Sequence, residues 1–292
     1  MSPRKVKDIQ VDHRGLTLDG GGVFGIGQAL ILSQVSSLDK FEFVAGTSIG
    51  AVIAAVVATR DAEQLRKLPE FFYKQLPAVF SGYFWRHYCP FTPRYNDKAL
   101  NAALQSLFPT QYMRDLKIPT FITGADLNQR QLKVFYSGDS QDGALPVWEV
   151  LRMAVAAETY FAPFNGIADG GIFSNNPVMV GIAAAQQVLK MPSESMRICS
   201  IGTGESSYNT NIGTTNGWTV IAWGSYLLSA LLCGASSKMH AYFAQQMGLK
   251  EYLRIQFMRE DAWHMDCPTD MTAAAVKWAP AINDGISKVE AF

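Results

Sequence analysis

Net charge is missing from this chain: 25 Lys and Arg balance 25 Asp and Glu over 292 residues. A nucleic-acid partner would call for a basic excess, so none is expected. Cysteine is scarce as well. Cys89, Cys199, Cys233 and Cys267 stand far apart with no C-x-x-C pair, which excludes a zinc ribbon and a disulfide framework and suits reduced thiols in a cytosol. There are only four histidines, His13, His87, His240 and His264. The opening "MSPRKVKDIQVDHRG" has no apolar core of the signal-peptide kind. No internal repeat, low-complexity tract or linker-like stretch occurs. The longest apolar run, residues 218–235, is near spanning length, but it carries Thr219, Gly224, Ser225, Ser229 and Gly234 and lacks basic flanks. It reads as a buried helix. A cytoplasmic protein is expected, with residues 1–14 as an N-terminal tail and 15–292 as a single domain.

What is abundant is apolar sequence, 48% of the chain, arranged in alternating periodicities. "GLTLDGG", "FEFVAG", "PTFITGADLN", "QLKVFYS" and "RICSIG" read as strands. "VFGIGQALILSQVSSL", "AVIAAVVATR", "NDKALNAALQSLF", "LPVWEVLRMAVAAE" and "PVMVGIAAAQQVL" read as helices, with Asn96 or Asp97 as a cap and Pro177 at a first turn. Strand–helix alternation predicts an α/β fold: a mostly parallel sheet covered on both faces, with ligands beyond the carboxyl ends of the strands.

Glycine clusters fall at those ends. Residues 20–25 spell G-x-G-x-x-G, a dinucleotide-binding fingerprint that is weak without an acidic residue closing the second strand. Asp39 and Glu42 precede or open that strand, which runs instead into "GTSIG" at 46–50. Gly46 and Gly50 permit a sharp strand-to-helix turn, a nucleophile elbow exposing the Ser48 hydroxyl. A serine nucleophile needs a base. His264, in "DAWHMDCP", lacks a strand-end setting; Asp169, in "IADGGIFSNNP", lies beside two glycines that leave its carboxylate accessible. Asp-Gly-Gly by itself is also an ordinary turn sequence.

Between Phe71 and Tyr95 there are ten aromatic residues interleaved with Lys74, Arg86, His87 and Arg94. Tyr and Trp suit a boundary between apolar and wet surroundings, and basic groups suit anionic head groups. The segment reads either as a lid or lipid-facing surface, with Phe84, Trp85 and Arg86 foremost, or as core.

Together, "DGGGVFGIG" at 19–27, "GTSIG" at 46–50, "ADGGIFSNNP" at 168–177 and "CSIGTG" at 199–204 resemble the patatin-like phospholipase family. The resemblance covers roughly residues 15–205. It implies a three-layer α/β sandwich and a serine acyl hydrolase releasing fatty acids from phospholipids or other glycerolipids. Ser48 would be the nucleophile, Asp169 the base, and the N–H groups of Gly20, Gly21 and Gly22 the oxyanion hole. No metal or organic cofactor is implied. Peripheral membrane contact, homo-oligomerisation and, by likeness to some bacterial members, activation by a small nucleotide also follow. One position departs: Phe24 stands where the family usually carries Arg or Lys, which bears on head-group recognition. Two other readings stay open, a catalytically quiet interaction protein on this fold and a dinucleotide-binding module using residues 20–25.

Overall fold

The computed structural model describes residues 12–36, 38–82, 92–206, 236–260 and 263–292. Strand β1 (His13–Leu18) leads through the glycine loop and a 3₁₀ turn into α1 (Gly25–Leu32); β2 (Phe43–Gly46) leads into α2 (Ile49–Thr59). The sheet thus begins two residues ahead of the expected tail boundary, at His13, whose ring meets Glu42 at 3.0 Å. Helix α3 (Ala62–Val79) and α4 (Asp97–Leu107) precede the hairpin of β3 (Thr120–Asp126) and β4 (Gln131–Tyr136). Then come α5 (Val147–Ala154), the three-residue β5 (Ile167–Asp169), the single turn α6 (Gly171–Ser174), α7 (Val178–Gln187), β6 (Met196–Ile201) and β7 (Glu205–Ser206). The C-terminal part adds α8 (Ser236–Gln246), β8 (Glu251–Ile255), β9 (Met258–Arg259), α9 (Pro268–Lys277) and α10 (Ala279–Ala291).

The main sheet runs β4-β3-β2-β1-β6-β8, with β5 also on β3. β3, β2, β1, β6 and β8 are mutually parallel; β4 and β5 are antiparallel to β3. Successive side chains of a strand point to opposite faces, and both faces here are covered. Leu16, Leu18, Val44, Ile122, Cys199 and Ile201 pack into one core with α1, α2 and α5. Phe43, Ala45, Phe121, Met196 and Ile198 pack into the other with Val178, Ile182 and Ala185 of α7 and Ala244 of α8. The result is the expected three-layer sandwich.

The second half of helix α3, from Phe71 to Val79, falls in the segment read as aromatic-rich. Its apolar positions Leu65, Leu68, Phe72, Leu76 and Val79 follow helical spacing and are buried. Asp61 caps it, accepting from the N–H groups of Glu63 and Gln64, and Pro69 and Pro77 are accommodated within it. Of the segment's aromatics, Phe72 and Tyr95 are buried and Tyr73 is exposed. Phe84, Trp85 and Arg86 lie outside the described residues, as does the apolar run 218–235. Among the described residues no helix is long and apolar enough to cross a membrane.

Candidate active site

The elbow has the backbone its sequence requires. Ser48 sits at φ 54° and ψ −126°, a conformation costly for any residue but glycine, and caps α2. A side chain at Gly46 would put its Cβ 2.5 Å from the Gly50 carbonyl oxygen, and one at Gly50 would sit 2.2 Å from that of Leu18. Thr47 braces the turn: its hydroxyl lies 2.7 Å from that of Thr123 on β3 and donates to the Ser174 carbonyl at 2.7 Å.

Asp169 arrives from the opposite direction. β2 pairs with β3 as far as Gly46 opposite Ile122, and β5 takes up the same strand at Gly124 opposite Asp169. The two short strands therefore end facing each other along β3, which delivers Ser48 and Asp169 to one cavity wall. Asp169 is buried, and its Oδ1 accepts from the Gly171 N–H at 2.8 Å. Burial raises its pKa to about 7, assisted by the negative charge of Glu158; the nearby Ser48 hydroxyl and the Gly171 N–H pull the other way. An aspartate so placed is a far better base near neutral pH than one in water.

The glycine loop lies against this pair. A Cβ added at Gly20 would stand 3.0 Å from Ser48 Cβ, one at Gly21 (φ 156°) 2.1 Å from the Thr203 hydroxyl, and one at Gly22 (φ 59°) 2.2 Å from the Met265 carbonyl oxygen. The three glycines are not equivalent. The Gly20 N–H donates to the Asn175 carbonyl at 2.9 Å, and the Gly20 carbonyl accepts from the Thr203 hydroxyl at 2.6 Å. The Val23 N–H goes to Met265 at 2.8 Å. That leaves the N–H groups of Gly21 and Gly22 without an acceptor among the described residues, and both residues line the cavity with Ser48 and Ile49 while Gly20 does not. Of the three N–H groups expected as donors, that of Gly20 is occupied by a loop carbonyl 155 positions away.

Beneath the loop, Asp19 is buried against Arg254, with contacts of 2.6 and 2.8 Å, and accepts from Ser237 at 3.0 Å. The Asp19 carboxylate keeps the Arg254 guanidinium firmly charged. Phe24 packs on Trp263 at 6.1 Å and Trp278 at 5.9 Å, and the Arg259 guanidinium stands 5.0 Å over its ring. A cation thus reaches position 24 from another strand.

His264 is exposed and its backbone N–H bonds to Asp270, so it takes no part in the cavity. Asp39 is exposed in a contact with Arg60, and Glu42 faces His13; neither closes β2 as a ribose ligand would. Among the described residues no group of three or more His, Cys, Asp or Glu side chains could hold a metal ion.

The cavity has a volume of about 180 Å³, and beyond the polar end it is walled by Phe71, Phe72, Leu76, Val79, Phe80, Leu100, Leu104 and Phe161. Three of the aromatic segment's five described rings, Phe71, Phe72 and Phe80, therefore line a pocket beside Ser48. Sequence reasoning missed Glu158, Asn175, Thr203 and Met265, all of which touch the loop or the cavity. Only Asn175 and Thr203 carried a signal, since they stand within the quoted motifs.

A family model described as patatin-like phospholipase matches residues 16–182. The chain belongs to this family. It is 26% identical over 241 residues to patatin-like protein 4 of Arabidopsis thaliana, covering 65% of this chain and 59% of that one. It is 25% identical over 214 residues to a cGAMP-activated phospholipase of Vibrio cholerae, covering 62% and 60%. An 85/88 kDa calcium-independent phospholipase A2 of Rattus norvegicus is 28% identical over 234 residues, 67% of this chain and 27% of that protein. The alignments thus span at most about 60% of these relatives' lengths. Among solved structures, VipD from Legionella pneumophila superposes with a TM-score of 0.50 at 13% identity, over 95% of this chain and 67% of that one, a likeness of fold.

Proposed function

We propose that this chain is a serine acyl hydrolase that releases fatty acids from glycerolipids. The observation that carries the reading is the meeting of a strained Ser48, a buried Asp169 and the Gly21 and Gly22 N–H groups, unpaired among the described residues, at the polar end of an apolar cavity. Asp169, ionised, takes the Ser48 proton as Oγ attacks the ester carbonyl, and the carbonyl electrons move onto oxygen. Gly21 and Gly22 donate to that oxyanion, a contribution worth about 10²- to 10³-fold per donor in well-studied hydrolases. Collapse expels the alcohol, which takes the proton from Asp169. Water, deprotonated by the same aspartate, then releases the fatty acid and restores Ser48.

The glycerolipid substrate class is supported by the apolar walls and by the phospholipase names of the relatives. Contact with a lipid surface belongs to the same proposal; Met239, Tyr242 and Phe243 stand exposed on α8. The cGAMP-activated relatives support control by a nucleotide ligand. Fatty-acid release from mixed phospholipid liposomes and from a short p-nitrophenyl ester tests the reading. Wild type is active on the short ester and, with an activating nucleotide present, on liposomes; Ser48→Ala and Asp169→Asn lose both, and His264→Ala retains both. Activity that survives Ser48→Ala refutes it. Full liposome activity of the purified protein with nothing added counts against nucleotide control.

A further inference from the structure

Glu158 stands in the wall of the cavity that holds Ser48 and Asp169, and beyond its influence on the Asp169 pKa the dyad mechanism gives it no task. Its Oε1 is buried without a hydrogen-bond partner among the described residues. Buried polar atoms are rarely left so in folded proteins, and an exception calls for a ligand or a role. The placement is fixed by the backbone around it. The Ala156 carbonyl accepts from the Asp169 N–H at 3.0 Å, and the Thr159 carbonyl accepts from the Arg94 N–H at 2.9 Å. Thr159 itself is held at φ 67°, a strained conformation for a β-branched residue. The turn that carries Glu158 is therefore tied to the base on one side and to the segment before α4 on the other.

An acyl chain lying along the phenylalanine and leucine walls offers no hydrogen-bond donor. In an ester substrate a donor belongs to the alcohol half, as a hydroxyl left unesterified. We propose that Glu158 is a specificity-determining residue: its free carboxyl oxygen accepts a hydrogen bond from a hydroxyl of the substrate's alcohol moiety, which favours monoacyl glycerides over esters without a donor. The inference rests on the hydrolase reading of this same pocket. Burial raises the pKa of Glu158 toward the neutral form, so a neutral hydroxyl suits it better than a cation.

The test compares kcat/KM for 1-monopalmitoylglycerol, its di-O-methyl ether and methyl palmitate in mixed micelles at pH 8.5, where Asp169 is ionised. Wild type is expected to prefer the monoglyceride over its ether by about 10- to 100-fold, the range of a hydrogen bond to a charged or buried polar group. That comparison needs no variant and so no refolded protein. Glu158→Leu is expected to abolish the preference, and Glu158→Gln, which keeps an acceptor oxygen, to retain most of it. Equal rates for wild type on the glyceride and its ether overturn the proposal. So does a preference that survives Glu158→Leu, or one lost equally in Gln and Leu. Absence of Ser48-dependent hydrolysis of all three esters strikes the hydrolase reading instead, which keeps the two failures apart.

Discussion

Asp169 closes β5 opposite Gly124 on the edge of β3 that β2 leaves opposite Ile122, two residues before Ser48. One strand thus supports both members of the proposed dyad from the same edge, and about 7 Å of strand separates the two pairing positions. Anything that shifts β3 moves both residues together, whereas Thr47 and Gly170, both packed on Thr123, fix the gap between them.

Replacing Ser48 by Ala, or Asp169 by Asn, is expected to lower kcat/KM on a soluble ester by at least about 10³-fold, the scale seen when one member of a catalytic constellation is removed. Circular dichroism and melting curves check that the fold survives. A Ser48→Ala protein of near wild-type activity contradicts the assignment.

The pH profile follows from the Asp169 pKa of about 7. The base form grows as pH rises through that value, so kcat/KM for a neutral ester should climb about tenfold per unit below it and level off above it. The stability sign is the reverse. The folded pKa exceeds the unfolded value, so ionising Asp169 costs folding energy that increases from about pH 4 to pH 7. Asp169→Asn should therefore stabilise the protein at pH 8, by at most about 4 kcal/mol, and far less at pH 4. Denaturant midpoints at the two pH values measure it.

Arg254→Met would leave Asp19 buried without its cation beneath the glycine loop. A loss of about 3–5 kcal/mol is expected, the usual result of removing one partner from a buried pair. Thermal unfolding reads the loss, and activity per folded molecule reads any disturbance of Gly20–Gly22.

The acyl wall makes a selectivity prediction. Ala103 and Leu104 of α4 line the cavity. Ala103→Phe should reduce kcat/KM for palmitoyl esters by tenfold or more while butyryl esters lose under threefold, because added volume excludes the longer chain first. A uniform loss for both lengths would place the acyl chain elsewhere.

Much of this site could be read before any coordinates. The elbow is a local device: its two glycines, the strand before and the helix after are contiguous, and the contacts that demand glycine are made within the turn or to β1. Asp169 drew notice through its Asp-Gly-Gly setting, but its place in the cavity wall with Ser48 comes from pairing of β5 with β3, which no local pattern carries. The spent Gly20 N–H was not legible, since its acceptor, Asn175, is remote in sequence and meets the loop only in the folded chain. Glu158 was illegible too, because "AAETY" has no periodicity and its burial is decided by tertiary packing. Helix α3 was obscured by its aromatics and two prolines although its apolar spacing is regular. The C-terminal strands β8 and β9 are short, and helices α9 and α10 carry mixed patterns.

The most direct measurement is labelling with a fluorophosphonate, followed by intact-mass analysis and peptide mapping at pH 8.5. The predicted result is one adduct per chain on Ser48, formed at least about a hundredfold more slowly in Asp169→Asn. An adduct on another residue, or labelling of Asp169→Asn at the wild-type rate, would contradict the Ser48–Asp169 dyad.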